Sequence, residues 1–144
     1  MADRPTAPGQ QSLQLILARN LISTLSTAAF LVDTAQTVVF YNDAAADFIG
    51  MRYEETGKVP LARWREALDP ADEGGESIHG DDLPISVAVR EGRPVHMTAV
   101  VRIAGTEPRR AEMLALPLIG PEDTFEGAVG VFWVQAADAA GVSR

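Results

Sequence analysis

The sequence contains no cysteine and only two histidines, His79 and His96. That excludes disulfides, thiolate metal sites, cysteine nucleophiles and any covalent flavin–thiol adduct. The densest group of potential ligands is residues 69–82, where Asp69, Asp72, Glu73, Glu76, Asp81 and Asp82 accompany His79. Carboxylates in such number suit a hard cation, but the alternating acids and central glycine of a calcium loop are missing, so a solvated loop is the expectation. No Ser/His/Asp order or glycine-rich phosphate loop stands out, and Gly127-x-x-Gly130 lies in a strand pattern, where it reads as close backbone packing. Asp47 with Tyr41 or Tyr53 is the one pairing suited to acid–base work. It would need a buried carboxylate beside a tyrosine hydroxyl, as in a small isomerase or dehydratase. Asn42 and Asp33 have simpler readings, Asn42 as a helix cap and Asp33 as an acceptor for turn amides.

The 144 residues carry 20 acids against 12 bases, a net charge of −8. A negative field of that size repels phosphate backbones and anionic lipid, so neither nucleic acid nor membrane is an expected partner. No apolar run reaches the ~18 residues of a membrane span and no signal peptide is evident, which predicts a cytoplasmic protein.

The elements that must position these groups follow from periodicity. Residues 1–11 are poor in core formers and read as a disordered arm; residues 136–144 read as a flexible tail. Ser12 caps a predicted helix running to Ser26, within a segment 12–27. On it Leu13, Leu15, Leu17, Ala18, Leu21, Ile22 and Leu25 spread over an arc of about 200°, twice the width of a one-sided surface helix. Two explanations stand: a helix sunk deeply into its own domain, or one sandwiched between its sheet and a partner subunit. In the second, Leu15, Ala18, Ile22 and Leu25 step by 3, 4 and 3 as a dimer seam, while Leu13, Leu17 and Leu21 face the sheet. Ala28 to Asp33 and Thr37 to Tyr41 predict a hairpin, followed by a short helix from Asn42 that Gly50 closes. Helical spacing returns in Leu61 to Leu68 and in Leu83 to Gly92. Three strands complete the chain: Val95 to Ile103, Ala111 to Ile119 and Phe125 to Val134. Tight turns make consecutive strands antiparallel, which predicts an α+β fold: a five-stranded antiparallel sheet flanked on one side by short helices, with an amphipathic N-terminal helix.

Three blocks in order carry a resemblance: AAFLVDTAQTVVFYNDAAADFIGMRYEE, LPISVAVREGRPV and LPLIGPEDTFEGAVGVFWV. The first places Asp33, Asn42, Ala45, Phe48, Gly50 and Glu55, and the third Pro117-Leu118, Gly127 and Gly130, as in the PAS domain family. The chain resembles a PAS domain from Leu21 to Val134, with the domain itself at 28–135. It departs from the family after Val134, where Gln135-Ala136-Ala137 replaces the usual Asp-Ile-Thr-like ending.

The resemblance implies a stand-alone sensory or interaction module of signal transduction, not an enzyme. It would form a homodimer through its N-terminal helix and act on a signalling partner protein in trans. It also implies an interior able to hold a small apolar ligand, with Phe30, Phe40, Phe48, Trp64, Val89, Met97, Met113 and Trp133 as candidate lining. Haem-binding members ligate iron from the helix before the third strand, and Pro84 to Glu91 holds no histidine. No cofactor is therefore expected, although the residues leave a non-covalent flavin or haem open.

Overall fold

The computed structural model describes residues 13–50 and 57–134; the predicted arm, the tail, Ser12, Tyr53 and Glu55 lie outside the described residues. The elements are α1 (Leu13–Ile22), β1 (Ala28–Val32), β2 (Thr37–Tyr41), α2 (Asp43–Ile49), β3 (Val59–Pro60), α3 (Leu61–Leu68), β4 (Pro70–Ala71), α4 (Pro84–Glu91), β5 (Val95–Val101), β6 (Arg109–Ile119) and β7 (Phe125–Val134). Single 3₁₀ turns occupy Gly80–Asp82 and Pro121–Asp123.

The sheet has seven strands, not five, in the order β3-β2-β1-β7-β6-β5-β4, with every pair antiparallel. The five long strands are those expected. The additional two are two-residue pairings in which backbone just before and just after α3 closes onto β2 and β5. No periodicity exists in two residues, so only the folded chain reveals them. The two outer strands are very short and cover only Thr37–Val38 of β2 and Val100–Val101 of β5.

The inner face presents Phe30, Val32, Val38, Tyr41, Ala99, Val101, Ala111, Met113 and Phe132 to α2, α3 and α4, forming the main core. The outer face is also covered. Leu15, Ala18 and Ile22 of α1 pack on Ala29, Leu31, Val39 and Val129, with Phe40, Leu118 and Val131 at the margin. The sheet is therefore layered on both sides rather than one.

Several local features match their sequence signals. Asn42 caps α2 by accepting from the Ala45 amide, and Gly50 ends that helix at φ +80°. Asp33 Oδ1 accepts from the amides of Ala35 and Thr37, both at 3.0 Å. Helix α1 ends at Ile22, four residues before the expected Ser26. The Ser23 and Thr24 hydroxyls donate back to the carbonyls of Asn20 and Leu21, satisfying groups that a further turn would have used.

Candidate functional site

The interior between the sheet and the short helices is filled by aromatic side chains. Trp64 of α3 is the centre, with ring centroids 4.9 Å from Phe30 and 4.8 Å from Tyr41. Phe132 meets Phe30 at 6.0 Å and Trp64 at 6.3 Å, and Phe48 stands edge-on to Phe132 at 4.9 Å. Offset and edge-on contacts of this kind add to simple area burial. The space left over is a cavity of about 30 Å³ bounded by Phe30, Trp64, Leu68, Leu83, Ile85, Met113 and Phe132. A water needs roughly 10–15 Å³ by that measure, whereas drug-sized ligands occupy some 300–1,000 Å³. The Trp64 indole N–H is buried without an acceptor.

Of the candidate lining residues, Phe30, Trp64 and Met113 surround this cavity. Val89 is half-buried against the same core but does not reach it, and Met97 is half-buried on β5. Phe48 sits at the open end of the concave face instead. Two assignments need correction. Phe40 belongs to the outer cluster, beneath α1, with the Arg19 guanidinium 4.5 Å from its ring centroid. Trp133 is 41% exposed, because one step along β7 from buried Phe132 reverses the side-chain direction.

The N-terminal helix needs the reverse correction. Leu15, Ala18 and Ile22, the expected dimer seam, are buried on the protomer's own sheet, with Ile22 only 2% exposed. Leu13, Leu17 and Leu21, expected against the sheet, are 62%, 56% and 64% exposed. Both faces of α1 carry leucines, so composition alone did not choose between them. The face that meets the strands is the one carrying Leu15, Ala18 and Ile22. Leu25 lies beyond the helix and is partly exposed, as is Ile16.

The polar candidates take structural positions. Asn42 is 2% exposed and does more than cap α2. Its Oδ1 accepts from the amides of Ala29 and Ala45 at 3.1 and 3.0 Å. Its Nδ2 donates to the carbonyls of Ile22 and Thr27, both at 2.9 Å. One side chain thus fastens the end of α1, the start of β1 and the start of α2. Nothing in the local sequence marks the bonds to Ile22 and Thr27, which are 20 and 15 residues away.

The 69–82 segment keeps its acids at the surface, as expected, yet it is fastened by arginines that sequence spacing did not link to it. Arg65 donates twice to the Ile78 carbonyl, Arg102 pairs with Asp69, and Arg110 forms a two-pronged pair with Glu73. Asp72 Oδ1 accepts from the amides of Gly74 and Glu76. Among the described residues no group of three or more acids and histidines is placed to hold a metal ion. His79 is exposed, and His96 pairs across the outer sheet face with Glu112 at 2.6 Å; neither reaches the interior. Asp47 is exposed on α2 while Tyr41 is buried against Trp64, so the two are not brought together as an acid–base pair.

No protein-family model matches the sequence, and no curated protein matches it. Solved structures do. The PAS domain of BvgS from Bordetella pertussis superposes with a TM-score of 0.63 at 16% identity, covering 88% of this chain and 89% of that one. A LOV protein of Rhodobacter sphaeroides gives 0.66 at 20% identity over 88% of this chain and 70% of that one. The PAS domain of nitrogen regulation protein NR(II) from Vibrio parahaemolyticus gives 0.57 at 12% identity, covering 83% and 98%. The chain has the PAS fold.

Proposed function

We propose that this PAS-fold chain is a non-catalytic sensory or interaction domain of cytosolic signalling, acting through association with a second copy and with a partner protein. The observation that carries the reading is the side of α1 that no other described residue covers. Leu13, Ile16, Leu17 and Leu21 stand exposed along it, with Leu25 just beyond, and Leu116 and Ile119 of β6 are exposed on the same protomer. Soluble proteins seldom leave so many large apolar side chains in water without a covering surface. The helix is meanwhile anchored on its other side by Leu15, Ala18 and Ile22. A dimer built this way sandwiches α1 between its own sheet and its partner.

The filled interior supports a reading without flavin or haem. A space of about 30 Å³ accommodates neither ring system unless the Trp64 cluster rearranges. Sensing by an interior ligand is then confined to something very small, and transmission falls to the surfaces.

Sedimentation equilibrium at tens of micromolar tests the association. The wild-type chain is expected to run as a dimer, and Leu17→Glu with Leu21→Glu as a folded monomer, because these charges are buried only in the dimer. A wild-type monomer ends the reading. An absorption spectrum of the freshly purified protein is expected to show aromatic bands alone; a stoichiometric visible band overturns the cofactor-free part.

A further inference from the structure

We infer that the open end of the concave sheet face, around Arg109, is a binding site for a small organic carboxylate with an apolar body. Arg109 opens β6 and alternates with Ala111 and Met113, so it lies on the inner face of the sheet. Its guanidinium carbon stands 4.9 Å from the centre of the Phe48 ring, and its Nε is buried without an acceptor. The adjacent Arg110 engages Glu73, and Arg102 engages Asp69. Arg109 has no carboxylate partner among the described residues, in a chain with 20 acids.

Beside it is a depression of about 350 Å³ walled by Ala44, Phe48, Phe132 and Trp133, with the Ser26–Thr27 backbone segment at its rim. The contact with Phe48 removes part of the guanidinium's hydration, and no hydrogen bond to a described residue takes up its Nε–H. The guanidinium fork matches a carboxylate with two parallel hydrogen bonds. The apolar walls then bury the ligand's body. Inorganic phosphate fits less well: it would bring more charge to a chain of net −8 and leave the apolar walls uncovered. The site is separate from the exposed side of α1 and stands whether or not the chain dimerises there.

Titration of the full chain with sodium phenylacetate, followed by the Arg109 side-chain Nε–Hε resonance and by calorimetry, tests the assignment. Saturable binding in the millimolar range is expected, with phenylacetamide inert and inorganic phosphate far weaker. Arg109→Gln is expected to weaken binding by at least about tenfold, and Arg109→Lys, which keeps charge without the fork, by several-fold. Circular dichroism and melting curves verify that each variant folds. Absence of a saturable shift, equal binding by phosphate, or phenylacetate binding unchanged in both variants overturns the inference.

Discussion

Asn42 shows how much one side chain can hold. Replacing a simple helix cap with alanine costs about 1 kcal/mol. Asn42→Ala would instead leave the Ala29 and Ala45 amides and the Thr27 carbonyl without these partners around a buried position, while the Ile22 carbonyl keeps the Leu25 amide. We expect a loss of about 2–4 kcal/mol by denaturant melts. Asn42→Ser, whose single short hydroxyl can accept from the Ala45 amide but cannot also replace the Nδ2 bonds to Ile22 and Thr27, should recover only a minor part; full recovery would reduce Asn42 to a cap. Two glycines make a matching contrast. A Cβ on Gly50 meets nothing within 4 Å, so the main penalty on Gly50→Val is its φ of +80°, about 1–2 kcal/mol. A Cβ on Gly130 would run into the Phe30 ring, which is pinned by Trp64 and Phe132. Gly130→Ala should therefore cost about 1–3 kcal/mol through packing, and Phe30→Leu in the same chain should relieve part of it. Additive losses in that double variant would show that the ring yields freely.

At the scale of elements, α1 has two apolar sides with different duties. Ile22→Ala removes buried methylenes from the outer cluster and is expected to cost about 2–4 kcal/mol. Leu17→Ala, on the exposed side, should change protomer stability by no more than about 0.5 kcal/mol. Thermal melts in a Leu21→Glu background, once sedimentation has verified that it is monomeric, separate the two effects from dimerisation. Equal losses at Ile22 and Leu17 would mean that both sides contribute to one core. The 69–82 segment obeys a different logic. Its ties are arginines on α3, just after β5 and on β6, all half-buried or exposed, so removing any one should cost about 1 kcal/mol or less.

For the whole molecule, the aromatic interior decides whether the PAS fold here is hollow or solid. Trp64 touches Phe30, Tyr41 and Phe132 at once. Trp64→Ala should cost about 3–5 kcal/mol and open a cavity where the indole was. Added indole or benzene is expected to raise the melting temperature of that variant but not of wild type, since only a ligand-sized apolar void can take them up. A wild-type response of equal size would show that the native interior already admits small aromatics.

The sequence by itself determined much of this protein. The five long strands, the short helices and the ends of α2 are written in local signals: period-two runs, an Asn cap at position 42 and a glycine at 50. Hydrogen-bond chemistry within a few residues is enough for these, and three such blocks in order also carried the PAS resemblance. Tertiary structure alone decided the rest. Which side of α1 meets the sheet depended on fit between a leucine-rich helix and the outer faces of β1, β2 and β7. The bonds from Asn42 to Ile22 and Thr27, the ring contacts that fill the interior and the placing of Arg109 over Phe48 all join residues distant in the chain. Such pairings arise from the closing of the sheet around its helices, and no local pattern encodes a contact whose partner is set only once the sheet has closed.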